Sequence, residues 1–301
     1  MRVAVILVNY GQWELTRECL RSLQASRGVE LGVTLVDNRS PGPVPEWVEN
    51  VPGLRFRRLE ENTGFAGGCN AGFRLSVEDG ADLTFFLNND ARVLPDTVAG
   101  LAEYLARNPS TGIAAPAVYR DSDPERLWGA GGRLVRWKMR YEQVDIPEEL
   151  YSKREGMKVD FVSGCALMVR SGLFDDLGGF RDDFFMYYED ADLCRKVSEA
   201  GYSVEVVPSL RVLHSVASGS GSELSKLAVF FSERNRILLS RDTLTSATRR
   251  IFIAYKTAVL LVLTVKFLAT ARPSLTKWIW RGYLEGLAGR AGYRDVIGKL
   301  I

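Results

Sequence analysis

Short apolar runs that alternate with helical segments constrain the fold of this chain more than any other feature. The runs occupy residues 2–8, 31–36 and 83–87, and residues 54–59 are expected to add a further strand. Continuous apolar runs of this length are typical of strands that are buried on both faces. Segments with helical spacing lie at residues 13–25, 67–77 and 95–107. Strands that alternate with helices predict an α/β fold with a doubly wound, mostly parallel sheet flanked by helices.

Polar side chains follow three of these predicted strands, at the point where each strand ends. They are Asn9 and Tyr10, Asp37 and Asn38, and Asn88, Asn89 and Asp90. The carboxyl ends of parallel strands meet at one edge of a sheet, and ligands of doubly wound sheets bind beyond that edge. We therefore expect these side chains to converge on one binding site.

A glycine-rich segment at residues 62–72 leads into the second predicted helix. It contains Gly64, Phe65 and Asn70, and the backbone N–H groups of such a loop can approach a phosphate closely. The segment is neither a GxGxxG motif nor a P-loop, and it does not follow the first strand. Neither a dinucleotide-binding fold nor an NTPase is therefore supported. Tight packing of the loop against the sheet is the alternative interpretation.

Three carboxylates, Glu189, Asp190 and Asp192, stand directly behind the bulky run at residues 184–188. A carboxylate beside bulky apolar and aromatic side chains is partly desolvated, which raises its pKa and makes it a better proton acceptor. The same residues also suit an acidic helix start, in which Asp192 pairs with a basic residue one turn later, such as Arg195. A catalytic base and a helix start both fit these residues.

Asp90 and His214 are the candidates for binding a metal ion. A carboxylate suits a hard divalent cation and leaves coordination positions for phosphate oxygens, but a lone Asp at a strand exit also caps turns. His214 is the only histidine and is expected in a loop that ends at residues 218–221. A site built on several histidines is therefore excluded, and the GxSxG elbow of a hydrolase is absent. Arg234, on a later helix, could face a diphosphate or simply be solvated.

The C-terminal part of the chain is basic. From residue 234 to the end, 13 lysine and arginine residues stand against three acidic ones, a net charge of +10. Since the whole chain carries +2, the preceding part carries −8. Such an asymmetry indicates a globular body and a basic region that meets an anionic partner. A nucleic-acid partner is not expected, because no recognised motif accompanies the basic residues.

Residues 241–301 are expected to form a basic, amphipathic helical region. Residues 251–270 are apolar, but Lys256 and Lys266 interrupt them, which argues against a membrane-spanning helix. The aromatic residues Trp278, Trp280 and Tyr283 follow amid basic ones, which suits a helix lying on an anionic bilayer. The alternative is a helical pair that packs on the preceding domain or on a second subunit in a homodimer.

The cysteines and the N-terminal residues indicate a cytoplasmic protein. The four cysteines are scattered without CxxC spacing, as expected for reduced thiols rather than for disulfides or a zinc site. The opening apolar run is too short for the core of a signal peptide.

Seven motifs occur in an order that resembles a known family. They are VNY (8–10), VDNRS (36–40), NTGFAGGCNAG (62–72), LNND (87–90), GCALMVR (164–170), GGF (178–180) and YEDADLC (188–194). In this order they resemble family-2 glycosyltransferases, and the chain is most similar to their rhamnosyltransferase-like branch. The resemblance implies a GT-A fold over residues 1–240, with a nucleotide-binding half at about 1–120 and an acceptor or catalytic half at about 121–240.

The resemblance also implies roles for the candidate residues. Asp37 would bind the base or ribose, Tyr10 could stack on the base, and the loop from Asn62 to Asn70 would line the nucleotide pocket. The other donor-binding candidates are Asn9, Asn38, Gly64, Phe65, Asn88, Asn89 and Arg234. Asp90 would hold Mg²⁺ or Mn²⁺, with His214 as a further ligand. Many relatives have Asp-x-Asp where this chain has Asn88-Asn89-Asp90, so weak metal binding that depends on the nucleotide is expected.

The implied reaction is an inverting sugar transfer from a nucleotide-diphosphate donor, dTDP-rhamnose or a UDP-sugar, with Asp190 as general base and Glu189 as the residue that orients or tunes it. The expected acceptor is a hydroxyl of a cell-envelope polysaccharide or a lipid-linked glycan, reached at the inner face of the cell membrane. A sugar-nucleotide nucleotidyltransferase is one alternative, but it would normally carry a GxGTR-like loop where Asn9-Tyr10-Gly11 stands. A non-catalytic, membrane-associated protein that binds nucleotide sugars is the other.

Overall fold

The computed structural model describes residues 2–77, 80–215, 225–270 and 273–300. Its strands are β1 (Arg2–Asn9), β2 (Glu30–Asp37), β3 (Arg55–Arg58), β4 (Leu83–Asn88), β5 (Ala91–Val93), β6 (Thr111–Arg120), β7 (Asp123–Gly129), β8 (Gly132–Val135), β9 (Arg140–Gln143), β10 (Met157–Val159), β11 (Ala166–Arg170) and β12 (Ser203–His214). Its helices are α1 (Trp13–Gln24), α2 (Gly64–Val77), α3 (Thr97–Arg107), α4 (Ser171–Asp176), α5 (Glu189–Glu199), α6 (Lys226–Thr243), α7 (Ser246–Ala269), α8 (Pro273–Ala288) and α9 (Arg294–Leu300). Short 3₁₀ turns occupy Glu46–Val48, Arg136–Lys138, Glu148–Tyr151 and Asp182–Phe184.

Among the described residues, ten strands form one sheet in the order β10-β12-β6-β11-β4-β1-β2-β3, with β5 beside β12 and β7 beside β6. The strands β3, β2, β1 and β4 are mutually parallel, and β12 is parallel to β6. Only β11 interrupts the central order, because it is antiparallel to both β4 and β6. The predicted α/β class, with a mostly parallel sheet and helices on both faces, is confirmed.

The second half of the sheet differs from the prediction in two places. The apolar run at residues 159–169 predicts one buried strand. The structure has β10 and β11 instead, because the chain turns through residues 160–165 between them. The sequence predicts a strand only at residues 203–207. The strand β12 continues to His214, which therefore ends a strand rather than lying in a loop. Its register shifts between Val207 and Arg211, where Pro208 cannot donate to the ladder, and this bulge hides the strand pattern in the sequence. Residues 218–221 lie outside the described residues.

Residues 120–146 are weakly patterned, which predicts a hairpin or a mobile loop. In the structure they contain β7 and the β8–β9 hairpin. The strand β7 extends the sheet beside β6, and β8 pairs with β9 in a separate two-stranded sheet. This region covers the end of the sheet that carries His214.

The sheet buries side chains on both faces. Along β1, Val3, Val5 and Leu7 join the core beneath α1 and α3, whereas Ile6 joins the core beneath α2 and α5. The neighbouring strand β4 repeats the pattern, with Phe85 in the first core and Phe86 in the second. Burial on both faces explains why these strands are continuously apolar in the sequence.

Helix α2 lies unusually close to β1 because of its glycines. A Cβ on Gly68 would lie 2.7 Å from Val8 Cγ1, and one on Gly72 would lie 2.5 Å from Ile6 Cγ2. At these two positions the glycines serve helix–sheet packing, as the alternative interpretation of the glycine-rich segment proposed. Gly64 differs, because its φ is +74° and an added Cβ would overlap the carbonyl group of Phe185.

The C-terminal helices share a hydrophobic core with the start of α5 and the residues just before it. Phe184 and Ala191 belong to the same cluster as Ile237 of α6 and Leu260 of α7, and Leu275 of α8 joins them. Trp278 and Tyr283 are buried, so α8 turns these aromatic residues toward the protein rather than toward a bilayer. For α8, packing on the preceding domain is the correct alternative. The predicted boundary at residue 240 lies within α6.

Helix α7 is the one helix among the described residues that is long and apolar enough to cross a membrane, judged by length and composition alone. Only 22% of its most apolar 18-residue window is buried. Core helices of soluble proteins pass the same test, so the finding by itself does not assign a membrane position.

Candidate active site

Asn9, at the end of β1, is the centre of the polar cluster predicted at the strand ends. The register places it beside Asp37 of β2. Its Oδ1 accepts hydrogen bonds from Thr16 Oγ1 at 3.0 Å and from Asn89 Nδ2 at 3.2 Å, and its Nδ2 donates to Ser40 Oγ at 3.1 Å. Asn9 and Asn89 are buried. They therefore tie three strand ends together instead of facing solvent, whereas Tyr10 is 37% exposed and lies at the surface.

Asp37 ends β2 and Asn38 follows it, and both residues organise neighbouring loops. Asp37 Oδ1 accepts a hydrogen bond from the backbone N–H of Ser40 at 3.0 Å, and Oδ2 lies 3.3 Å from Arg58 Nε. Asn38 Nδ2 donates to Asn62 Oδ1 at 3.0 Å and to the Gly64 carbonyl at 2.8 Å. We call Asn9, Asp37, Asn38, Asn88 and Asn89 the strand-end site.

The glycine-rich loop connects the strand-end site to the second half of the molecule. Asn62 Oδ1 accepts the Gly64 N–H at 2.9 Å, and the Phe65 ring packs at 6.1 Å from Phe180. Asn70 is buried and its amide binds the backbone of Phe180 at both ends, Nδ2 donating at 2.8 Å and Oδ1 accepting at 3.0 Å. In this arrangement Asn70 clamps α2 to residues 179–182 and does not face the loop.

Asp90 and His214 meet at the ends of β4 and β12. His214 Nε2 lies 3.0 Å from Asp90 Oδ1 and 3.5 Å from Asn88 Nδ2, and the Trp128 ring packs edge-on against the imidazole at 5.0 Å. Burial disfavours the charged imidazolium, but the nearby Cys165 sulfur and the Asp90 carboxylate outweigh it, so the pKa of His214 is raised. The family resemblance implies these two residues as joint ligands of a metal ion, and the structure brings their side chains together.

The pair fits a divalent cation bound together with a diphosphate. Two ligands about 3 Å apart are adjacent positions around an ion with metal–oxygen bonds of about 2.1 Å. His214 Nδ1 is buried and makes no hydrogen bond of normal geometry. Among the described residues, no three His, Cys, Asp or Glu side chains gather as a complete metal cluster. Asp90 and His214 would therefore need phosphate oxygens to complete the coordination.

The chain before α5 is strained. We call residues 184–188 the aromatic turn: Phe185, Tyr187 and Tyr188 have φ values of 65°, 68° and 73°, in the left-handed region that bulky residues rarely adopt. Asn235 of α6 holds this turn, because its Nδ2 donates to the carbonyls of Phe184 at 2.8 Å, Met186 at 2.9 Å and Tyr187 at 2.8 Å. Strain of this kind persists only where the surroundings enforce it, and it clusters at functional sites.

Arg234 supports the aromatic turn from the same helix. Its guanidinium donates to the carbonyls of Asp183 at 2.7 Å and Gly292 at 2.8 Å, and the residue is fully buried. Burial lowers the pKa of Arg234 to about 10. With its donors on backbone carbonyls, Arg234 does not reach solvent, which differs from the diphosphate contact expected from the sequence.

Asp190 stands at the first turn of α5, immediately after the aromatic turn. Its Oδ2 accepts the Gly164 N–H at 2.9 Å and its Oδ1 accepts the Ala191 N–H at 2.8 Å. Burial raises the pKa of Asp190 to about 6, against the opposing effect of these two N–H groups. A partly exposed carboxylate with such a pKa is largely ionised at neutral pH and is a competent proton acceptor.

The two neighbouring carboxyl groups behave differently from Asp190. Glu189 is buried and its Oε2 makes no hydrogen bond, and burial followed by the repulsion of Asp190 raises its pKa well above the usual range. Asp192 is also buried, but it forms ion pairs with Arg195 at 2.8 Å and with Lys196 at 3.3 Å. The helix-start interpretation therefore describes Asp192, and the desolvated pair is Glu189 and Asp190.

Comparison with known proteins assigns the family. The sequence profile of "Glycosyl transferase family 2" matches residues 4–178, more than half of the chain. The chain belongs to glycosyl transferase family 2. It is accordingly a nucleotide-sugar-dependent glycosyltransferase with a rhamnosyltransferase-like sequence, as the motif order predicted.

Two relatives of this glycosyltransferase are named for rhamnosyl transfer. It is 26% identical over 246 residues to the N-acetylglucosaminyl-diphospho-decaprenol L-rhamnosyltransferase of Mycobacterium tuberculosis, covering 73% of this chain and 78% of that protein. It is 24% identical over 216 residues to the dTDP-rhamnosyl transferase RfbF of Shigella flexneri, covering 69% and 70%.

A solved structure supports the GT-A fold. GalNAc-T7, crystallised with UDP, GalNAc and Mn²⁺, superposes with a TM-score of 0.70 at 14% identity. The match covers all of this chain but only 58% of that one. At this identity the likeness concerns the fold.

A cavity of about 340 Å³ lies beside both halves of the glycosyltransferase site. Its lining includes Trp128, Tyr141, Gln143, Phe161 and Ser163. Trp128 packs on His214, and Ser163 precedes the Gly164 whose N–H binds Asp190. The cavity therefore touches the neighbours of both the metal candidates and the base candidate.

Sequence reasoning missed several residues that build this site. Thr16 joins Asn9 to Asn89, and Arg58 neutralises Asp37, but neither stands in a motif. Gly164 stood in a recognised motif, yet its N–H contact with Asp190 depends on folding. Asn235, which follows Arg234 directly, could not be recognised from the sequence as part of the site, because it binds a turn about 50 residues earlier in the chain.

Proposed function

We propose that this glycosyltransferase moves a sugar, with inversion at the anomeric carbon, from a nucleotide-diphosphate donor to an acceptor hydroxyl. The observation that carries the proposal is the desolvated, N–H-bound carboxylate of Asp190 behind a strained turn. Relatives named for rhamnosyl transfer favour dTDP-rhamnose as donor over UDP-sugars. The decaprenol-linked name of one relative favours a lipid-linked glycan as acceptor over a free polysaccharide.

In the proposed reaction, Asp190 accepts the proton of the acceptor hydroxyl as the acceptor oxygen attacks the anomeric carbon. The new C–O bond forms on the face opposite the diphosphate, and the bond from the anomeric carbon to the diphosphate oxygen breaks with its electron pair leaving on the diphosphate. The proton ends on Asp190. A single base and a departing anion are sufficient for inversion.

Glu189 would act as a positioning residue rather than as a second base. Because burial raises its pKa well above the usual range, it stays protonated while Asp190 is ionised. A second negative charge beside Asp190 would raise the pKa of Asp190 further. A neutral Glu189 adds no such charge.

The strand-end site would receive the nucleotide. The exposed ring of Tyr10 is available to stack on the base. Asp37 is fully buried and its Oδ2 lies 3.3 Å from Arg58 Nε, so it would reach the ribose or base only after a movement of the neighbouring loops. Asn38 would act indirectly by fixing Asn62 and Gly64. Asn9, Asn70, Asn89 and Arg234 would hold the surrounding frame, because their polar atoms already bind protein groups.

Asp90 and His214 would hold a divalent cation, Mg²⁺ or Mn²⁺. When bound, the cation would supply positive charge to the leaving diphosphate. A protonated His214 must lose its proton to serve as a ligand, and a metal ion favours that loss. With a single carboxylate, binding that depends on the nucleotide is expected.

The acceptor sugar would occupy the cavity between Trp128 and Ser163. Aromatic side chains such as Trp128 and Tyr141 offer apolar faces to a sugar ring, and Gln143 offers polar groups for its hydroxyls. We place residues 1–240 in the catalytic domain and propose that the enzyme works in the cytoplasm, at the inner face of the cell membrane. A lipid-linked acceptor would require such a position.

The test is the Asp190→Asn variant, because it keeps the shape of the side chain and removes the base. We expect transfer from dTDP-rhamnose to fall by about 10²- to 10⁴-fold, while the Kd for dTDP, measured by calorimetry, changes less than about threefold. Glu189→Gln is the matched control, and it should keep most of the transfer activity. Full turnover in Asp190→Asn would refute the assignment of the base. A wild-type protein that binds nucleotide sugars but transfers none would instead be the non-catalytic alternative.

A further inference from the structure

The exposed side of helix α7 is a continuous apolar stripe. Five large side chains on this side are 56–69% exposed, and alanines fill the gaps between them. The stripe consists of Ile251, Ala254, Ala258, Leu261, Val262, Val265 and Leu268. The spacing of three and four residues places all of them on one side of the helix, over a length of about 26 Å. Nothing among the described residues covers this stripe.

The opposite side of α7 is fixed to the protein. Phe252, Leu260 and Phe267 are buried in the core that α6 and α8 also build. Lys256, buried on this side, forms an ion pair with Glu233 of α6 at 2.9 Å. Thr264 accepts a hydrogen bond from Trp280 Nε1 at 2.8 Å.

These contacts decide how α7 could meet a membrane. A spanning helix would have to leave α6 and α8 and would carry Lys256 into the hydrocarbon without Glu233, at a high cost. A helix that keeps its contacts and presents only its outer stripe meets the bilayer in the plane of the interface. The Lys256 that interrupts the sequence pattern is therefore the anchor on the protein side.

The positive net charge of α7 and its surroundings favours an anionic partner for the stripe. Helix α7 contains Arg249, Arg250, Lys256 and Lys266 and no acidic residue, and the chain from residue 234 onward carries a net charge of +10. Exposed Arg250 and Lys266 stand near the two ends of the stripe. Pairing of two copies through this stripe would bring like charges together, whereas an anionic lipid surface complements them.

An aromatic side chain extends the stripe at its N-terminal end. Trp137 is 45% exposed and packs edge-on against Tyr255 of α7 at 5.0 Å, with Lys138 Nζ 4.9 Å from the indole ring. Tryptophan beside a basic residue is typical of side chains at the headgroup level. Trp137 and Lys138 belong to the 3₁₀ turn between β8 and β9, so the contact surface includes the catalytic half of the molecule.

We propose that α7 docks the enzyme in the plane of an anionic phospholipid bilayer through the stripe from Ile251 to Leu268, with Trp137 and the flanking basic residues at headgroup depth. Glu233, which anchors Lys256 of α7, immediately precedes the two residues of α6 that hold the aromatic turn. Docking would therefore bring the frame of the catalytic base next to the membrane surface. The proposal does not depend on which sugar is transferred.

The test uses the full chain and sedimentation with vesicles of phosphatidylcholine, with or without phosphatidylglycerol. We expect the wild type to bind the anionic vesicles at least about tenfold more strongly than the neutral ones and to be weakened by salt. A triple variant, Leu261→Ser, Val262→Ser and Val265→Ser, should lose binding by about 100-fold or more, since each large apolar side chain contributes severalfold or more. Leu94→Ser, which alters a 40% exposed leucine on the catalytic body, is the control and should bind as the wild type does.

Three outcomes would overturn the proposal. Undiminished vesicle binding by the triple variant, with unchanged circular dichroism and thermal stability, would exclude the stripe as the contact. A wild type that sediments as a dimer without vesicles and becomes a monomer in the triple variant would assign the stripe to a second copy. Wild-type protein that stays in membranes at alkaline pH would indicate a spanning helix. Donor binding is measured in parallel and separates a folding defect from a loss of docking.

Discussion

The strand-end site and the aromatic turn are built in opposite ways. At the strand-end site the polar side chains bind one another and a neighbouring loop, as Asn38 binds Asn62 and Gly64 after β3. At the aromatic turn the backbone is strained, and its carbonyls are held by Asn235, about 50 residues away. The first region follows from local chain order and sheet topology. The second depends on the C-terminal helices, so the frame of the predicted base and the helices proposed to meet the membrane form one unit.

Gly64 is the point where the two regions touch, and its substitution should have the largest effect. In Gly64→Ala the new methyl group would overlap the Phe185 carbonyl, and the φ of +74° would be strained as well. We expect a loss of about 3 kcal/mol or more in the free energy of unfolding, measured by urea denaturation. Gly42→Ala is the control, because Gly42 has a φ of +79° but open space around its Cβ, and it should lose only about 1 kcal/mol. Equal losses in the two variants would mean that the contact between the regions is not tight.

Removing one asparagine from each region should separate their functions. Asn235→Ala leaves three carbonyls of the aromatic turn without their donor, and we expect a loss of about 2–4 kcal/mol in stability and a fall in kcat of about 10- to 100-fold. The Kd for the nucleotide should change less than about threefold. Asn38→Ala should show the reverse, a weaker nucleotide Kd with a smaller change in kcat.

Steady-state kinetics and calorimetry with dTDP and UDP measure this difference. The proposed separation of function between the aromatic turn and the strand-end site would be wrong if both variants lost kcat and nucleotide affinity in the same proportion. In that case the two regions would act as a single structural unit, and Asn235 would not be a positioning residue for the base.

The same contrast explains how much the sequence could predict. The strands β1, β2 and β4 and the convergence of Asn9, Asp37 and Asn89 follow from apolar runs and from the rule that parallel strands end at one edge. The role of Arg234 could not be predicted, because a cationic side chain after two phenylalanines is equally consistent with solvent, phosphate or backbone carbonyls. The split between β10 and β11 and the extension of β12 to His214 depend on a turn and on a bulge, and neither leaves a periodic pattern.

The metal candidates lie beside Asn88 of the strand-end site, and their substitution should have an intermediate effect. Because Asp90 and His214 would share one cation with the diphosphate, His214→Ala should weaken Mn²⁺ binding in the presence of dTDP by about 10- to 100-fold. Isothermal titration of Mn²⁺ into the dTDP-saturated protein measures this without turnover. Asn88→Ala, which removes the neighbouring amide 3.5 Å from the imidazole, should change it less. Unchanged Mn²⁺ affinity in His214→Ala would remove His214 from the ligand set.

The smallest effect is expected in the stability of the aromatic-turn region as the pH changes. Burial raises the pKa of Asp190 from 3.8 to about 6, so the folded state binds this proton more tightly than the unfolded chain does. The resulting stabilisation is complete below about pH 4 and is lost as the pH rises through about 6. Relative to Asp190→Asn, the wild type should therefore lose up to about 2 kcal/mol between pH 4 and pH 8, a value reduced from about 3 because the carboxylate is partly exposed.

Urea denaturation of the two proteins at several pH values measures this difference. The kcat/KM of the wild type should fall tenfold per unit below about pH 6, because the same protonation removes the base. An ordinary surface carboxylate would give a midpoint near pH 4 and no gain of stability in the Asn variant at pH 8. If stability and activity both changed with a midpoint near 4, Asp190 would titrate as an ordinary surface carboxylate does. The contrast between the desolvated carboxylate beside the strained aromatic turn and the self-contained strand-end site would then no longer hold.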